Sequence, residues 1–139
     1  MISREPFRQE LVGSYTTADS LLEQPARLRL ESEQRVLLPG LGKTLRVTGS
    51  LDAKGLADAR GVSGRITFAR LAPFVASYDL ALTIDDGRSC RLHAAPAGGS
   101  TSLRAWTSVV GDLVDGSGAR VARFVLRFDY RRDLLGYLT

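Results

Sequence analysis

From residue 26 onward the chain alternates apolar and polar residues with a period of two, and clusters of Gly, Asp and Ser punctuate the alternation. That period belongs to a strand with one dry face and one wet face, because successive side chains of a strand point to opposite sides. In ARLRLESEQR, Leu28 and Leu30 fall on one side, and Arg27, Arg29, Glu31, Glu33 and Arg35 on the other. The next run sets Leu45, Val47 and Leu51 against Thr44, Arg46, Thr48, Ser50 and Asp52. Followed to its end, the alternation predicts seven strands, over 26–38, 43–52, 62–70, 75–85, 88–95, 103–115 and 119–130. Mostly short loops join them, so consecutive strands form hairpins and the whole an antiparallel meander.

Registers follow from the turns. DDGR at 85–88 and DGSG at 115–118 carry the Asp and Gly that tight hairpins need. Around the first, the expected partners are Ile84 with Cys90, Leu82 with Leu92 and Leu80 with Ala94. Around the second they are Leu113 with Ala122, Gly111 with Phe124, Val109 with Leu126 and Thr107 with Phe128. Earlier in the chain, Leu51 opposite Val62 would put Val47 opposite Ile66, Leu45 opposite Phe68 and Gly49 opposite Gly64. Two readings of such facing glycines stand open. They provide a corner for a closing sheet, or they leave a notch where a bound molecule sits.

A dry face must be covered, and the chain has little helix to cover it with. The segment up to Leu22, with Phe7, Leu11, Val12 and Leu21, has material for an eighth strand or one short helix. RRDLLGYL at the end has material for two helical turns. The expected fold is all-β: an antiparallel meander closing into a small lipocalin-like or calycin-like barrel of about seven or eight strands, with short terminal helical segments. At 139 residues, one domain over 1–139 is expected.

Composition narrows the partners. The net charge is +4, yet most arginines stand singly between apolar residues, as on the wet face of strands, and no clustered phosphate track appears. No nucleic acid is therefore expected. No apolar run approaches the roughly 18 residues of a membrane span, and the start MISREPFRQE is polar, so a cytoplasmic protein is expected. Cys90 and His93 are the only residues of their kinds, which leaves no intramolecular disulfide and no ordinary histidine metal site. No cofactor is expected.

PGLGKT at 39–44 has the ending of a phosphate loop, but Leu37 stands where that motif requires Gly, and a strand follows instead of a helix. His93 is the natural general acid or base by its titration range, but alternation sends it with Arg91 to the wet face. No catalytic residue is assigned. Tyr78 and Tyr130 share the dry parity and are the better polar handles in an apolar interior. The expected lining of a cavity comprises these two tyrosines with Gly49, Gly64 and Phe68. Leu80, Leu82, Phe124 and Phe128 complete it. On the opposite face Asp79, Arg123, Arg127 and Asp129 are charged, whereas Trp106, Val110, Val114 and Val125 make the last hairpin unusually apolar outside. That patch predicts a contact with the N-terminal segment or with a second copy in a homodimer.

The stretches VTGSLDAKGL, ITFARLAPF through YDLALTIDDGRSCRLHAA, and VLRFDYRRDLLGYL together resemble a bacterial module. It is the β-rich accessory domain found beside flavin-dependent oxidoreductases of the cholesterol oxidase type and beside hydrolase-like domains. The resemblance spans about residues 43–138. It implies an association with sterol-like, fatty or polyketide substrates. It carries over no catalytic residue, and the flavin and hydrolase signatures are absent from the sequence. The leading expectation is binding of a small apolar molecule in the barrel interior. The alternatives are a cofactor-free cyclase or isomerase acting on such a substrate, and a non-catalytic interaction module with a filled core beside an oxidoreductase.

Overall fold

The computed structural model describes residues 6–35, 44–68, 75–97 and 108–127. They form β1 (Pro6–Thr17), β2 (Ser20–Arg35), β3 (Thr44–Ala53), β4 (Ala57–Phe68), β5 (Val75–Thr83), β6 (Ser89–Pro96), β7 (Ser108–Asp115) and β8 (Arg120–Arg127). Each strand pairs antiparallel with the next, and β8 closes on β1, giving an eight-stranded barrel. The meander is as expected. The N-terminal segment supplies the eighth strand and not a helix, with Leu21 and Leu22 opening β2. The predicted C-terminal helical turns, and with them Phe128, Asp129 and Tyr130, lie outside the described residues, as does Trp106.

Closure shows in the stagger. Following strand partners from Tyr15 through Phe124, Gly111, Ala94, Tyr78 and Ile66 leads to Leu45, just past the Val47–Ser32 pair. There the far end of β2 meets the beginning of β1, where Arg35 pairs with Pro6. One circuit thus carries the path from the end of β1 back almost to its start, which is the stagger of strongly tilted strands.

Two expected registers are corrected by two residues each. Gly49 pairs with Val62, Val47 with Gly64 and Leu45 with Ile66. The cause is a tighter turn: Leu56 N–H donates to the Ala53 carbonyl at 2.9 Å, and Gly55 takes φ 83°, so β4 starts at Ala57. Ala59, at φ 48°, stands beside the register shift between Leu51 and Ala53. In the β5–β6 hairpin, Leu82 pairs with Cys90, Leu80 with Leu92 and Tyr78 with Ala94. Ile84 N–H donates to the Arg88 carbonyl at 3.0 Å and Gly87 turns the chain at φ 93°. A slip of two keeps every side chain on its face, so the dry set is unchanged. In the β7–β8 hairpin Leu113–Ala122, Gly111–Phe124 and Val109–Leu126 pair as expected. The Thr107–Phe128 pair lies outside the described residues.

Gly49 and Gly64 therefore do not face each other. Gly49 pairs with Leu30 on β2, and Gly64 with Leu80 on β5. A side-chain carbon at Gly49 would lie 1.7 Å from the Arg29 carbonyl oxygen, and one at Gly64 2.0 Å from that of Asp79. Gly13 stands in the same relation to Val125, at 2.0 Å, and a carbon at Gly111 would meet the Ala94 methyl at 2.7 Å. The bare backbone of Gly111 is thus approached most closely from β6, and not by Phe124. These glycines sit at the β1–β8, β2–β3, β4–β5 and β6–β7 interfaces, every second seam of the barrel. Close approach of neighbouring backbones at alternate seams turns the sheet through its corners. Curvature accounts for the glycines.

The turns at 84–88 and 115–119 are held by carboxylates. Asp115 accepts from Ser117 Oγ at 2.6 Å and from the N–H groups of Ser117 and Ala119 at 2.9 and 3.2 Å. Asp85 accepts from Arg60 Nε at 2.7 Å and from the Asp58 N–H at 3.0 Å. These bonds hold both carboxyls below the usual carboxylate range, chiefly through the Ser117 hydroxyl for Asp115 and the Arg60 side chain for Asp85. Because the folded values lie below the unfolded one near pH 3.9, the stabilisation is complete above it and is lost as pH falls through the folded values. Asp115→Asn is accordingly expected to lower the thermal midpoint at neutral pH, with the gap to wild type narrowing below about pH 4. A gap that stays constant down to acid unfolding would show that the charge is irrelevant to the turn.

Candidate functional site

The two ends of the barrel differ. At one end, tight hairpins join β1 to β2, β3 to β4, β5 to β6 and β7 to β8. There the Tyr15 hydroxyl donates to the Lys54 carbonyl, Lys54 N–H to the Pro25 carbonyl at 3.2 Å, and Asp85 N–H to the Leu56 carbonyl at 3.0 Å. The β3–β4 hairpin is thereby tied to both of its neighbours. From the other end run the connections 36–43, 69–74 and 98–107, and both chain termini.

The interior is one apolar cluster. Leu11, Leu28, Leu51, Ile66, Leu92 and Leu113 are fully buried within it. Of the expected lining residues, Phe68, Tyr78, Leu80, Leu82 and Phe124 are all buried in this same cluster, while Gly49 and Gly64 occupy corners of the wall. Phe124 stacks on Tyr15 with ring centroids 5.3 Å apart. Burial raises the Tyr15 phenol and the Cys90 thiol above their ordinary pKa values, so neither is poised to act as a nucleophile near neutrality.

Polar side chains enter this cluster in the half nearer the long connections. Gln9, early in β1, is 4% exposed, and so is Ser32, late in β2. Tyr78, near the start of β5, is 2% exposed and its hydroxyl donates to Gln9 Oε1 at 2.6 Å. Strands β1 and β5 are opposite each other in the ring of eight, so this bond spans the barrel. Gln9 escapes sequence reading because a glutamine on the dry parity looks like a break in the pattern; only its spacing of two from Leu11 points inward.

His93 is exposed on the outer face, as its parity predicts, with Nδ1 3.5 Å from Asp79 Oδ1. Arg91 binds the same carboxylate through two contacts of 3.2 Å. Asp112 faces His93 from β7, and Arg120 and Arg123 approach it at 3.8 and 4.0 Å. These are solvated ion pairs, which contribute little. Over β1 and β2 a charged groove is likewise neutralised from within, by Arg8–Glu31 at 3.5 Å and Arg29–Glu10 at 3.4 Å.

On the outside of the last hairpin Val110 and Val125 are direct partners; Val110 is half-buried and Val125 exposed. Val114 stands apart, between Arg91 and Arg120. The N-terminal strand does not cover this patch: β1 lies beside β8 in the wall and adds exposed Val12 to it. Among the described residues no helix is long and apolar enough to cross a membrane. Comparison of the chain with known protein families, curated sequences and solved structures gives no match.

Proposed function

We propose that the protein binds one small, largely apolar molecule inside the barrel, in the half bordered by the long connections. An eight-stranded barrel has an interior of the size that side chains fill or that one small ligand occupies. The observation that carries the reading is the Gln9–Tyr78 hydrogen bond across a largely apolar interior, in which Ser32 is the other buried polar side chain among the described residues. A core built only for stability gains little from such a pair, since desolvating two polar groups offsets most of what their bond returns. Binding pockets, in contrast, combine apolar walls with a few placed polar atoms. The resemblance of the strand sequences to the accessory module of sterol-oxidising enzymes points to the same class, a lipid-, sterol- or polyketide-like molecule.

Titration with the neutral apolar fluorophore N-phenyl-naphthylamine tests this directly, together with native mass spectrometry of freshly purified protein. Saturable binding at one site per chain is expected, with enhanced and blue-shifted emission, and a co-purified apolar ligand would displace with it. A folded protein that neither retains a ligand nor binds the fluorophore saturably would make the barrel a filled module.

A further inference from the structure

We propose that the protein associates with a second copy of itself as a two-fold dimer, in which the leucine tip of the β1–β2 hairpin of each copy seats on the valine patch of the other. This inference is independent of what the barrel holds. The tip is made by a bulge. Tyr15 pairs with Gln24 and Thr17 with Ser20, so Leu21, Leu22 and Glu23 stand opposite Thr16 alone. Leu22 N–H donates to Ser20 Oγ at 3.1 Å, which holds the irregular stretch locally. A bulge breaks the alternation and re-aims side chains, and this one turns two consecutive leucines to solvent, Leu21 97% and Leu22 71% exposed. The other large apolar side chains exposed among the described residues are Val12 and Val125. They lie on β1 and β8, beside the same hairpin, and Val110 adjoins Val125. The exposed apolar surface is thus gathered on one side of the barrel, in a tip and a patch, as at a site of association.

Charge identifies the occupant. Around the valines, Glu10 is shared by Arg27 and Arg29 at 3.5 and 3.4 Å, and Asp112 by Arg120 and Arg123 at 3.8 and 4.0 Å. Arg127 has Val12 and Ser108 as its cross-strand partners, so no carboxylate faces it across either seam. The patch is therefore apolar with a surplus of positive charge. Laid against its own copy, valine to valine, it would bring these arginines together, and like charges in contact oppose association. The tip has the opposite character. Asp19 and Glu23 flank the leucines, both exposed, and Lys54 is the one base lining the groove beside Leu22. Apolar meets apolar and acid meets arginine when the tip lies on the patch. Because tip and patch share one side of the barrel, two copies side by side and running in opposite directions form the contact twice, and the pair closes.

Analytical ultracentrifugation of the full chain tests this. Wild type is expected to dimerise at or below about 100 µM, a weak association through a small interface, and to dimerise less as salt rises from about 0.05 to 0.5 M. Replacing both tip leucines, Leu21→Ser with Leu22→Ser, should raise the dissociation constant about a hundredfold or more, since a two-fold contact loses each side chain twice. Arg127→Glu and Glu23→Arg should each raise it about tenfold. Combined in one chain they should restore most of the affinity, because the exchanged charges again meet their opposites. A wild type that stays monomeric at 100 µM or so would overturn the proposal, and that measurement needs no variant to fold. So would a dimer indifferent to the loss of both leucines, or charge variants whose weakening persists when they are combined. A monomer that instead sediments with vesicles of anionic phospholipid, and ceases to on Leu21→Ser, would assign tip and patch to a membrane surface and overturn it equally.

Discussion

Gly64→Val is expected to cost about 3 kcal/mol or more of unfolding free energy, a large share of the roughly 5–15 kcal/mol that holds a domain folded. Strand propensity alone predicts the reverse, since Val suits a strand better than Gly does. Geometry decides between them. The first added carbon would lie 2.0 Å from the Asp79 carbonyl oxygen and 2.8 Å from the Leu80 α-carbon. Both are backbone atoms of the paired strand, so relief requires moving β5 away from β4 at a corner of the barrel. Gly61, on the same strand, is the control: the nearest atom to an added carbon there is the Gly49 carbonyl oxygen at 4.0 Å. Gly61→Ala should be neutral or stabilising by up to about 1 kcal/mol, through the lost freedom of the unfolded chain. Urea unfolding of the two variants beside wild type checks both. Similar midpoints for Gly64→Val and Gly61→Ala would mean that the seam is not close-packed and that the corners are made otherwise.

The dry face of the barrel was legible because membership of a strand face depends only on parity. Leu80, Leu82, Cys90 and Leu92 are buried even though their partners differ from those expected by two residues. Register was harder, because it depends on where a turn begins. In DGSG the Asp115 side chain ties the turn to Ser117 and Ala119, and the partners came out as read. In the β3–β4 hairpin the decisive residue is Gly55, which stands outside the alternation that begins at Val62. The glycines could not be assigned to their seams until that register was known. Gln9 was illegible for a different reason: its partner lies on the opposite wall at Tyr78, and no local pattern encodes a contact across a barrel. Tyr78 itself was legible as an inward hydroxyl from its spacing to Leu80 and Leu82. The N-terminal strand was half legible. Leu11 and Tyr15 keep the inward parity, while Gly13 between them is bare because the β8 backbone crosses there.

Phe124→Ala is the second large effect expected, a loss of about 3–5 kcal/mol, and it also asks how full the barrel is. Phe124 is 1% exposed, pairs with Gly111 and Tyr15, and lays its ring on that of Tyr15 at an interplanar angle of 27°. If protein atoms surround the ring on all sides, truncation removes its transfer free energy and leaves a cavity that the tilted walls cannot collapse. Such a cavity is apolar and stays dry, so benzene should bind it and recover part of the lost melting temperature. Phe124→Leu would retain most of the volume and cost less than about 1.5 kcal/mol. The opposite outcome has an equally definite meaning. A loss below about 1 kcal/mol for Phe124→Ala, with no response to benzene, would say that one side of the ring borders open space. That result would place open space inside the barrel beside Phe124, of the kind the proposed ligand requires.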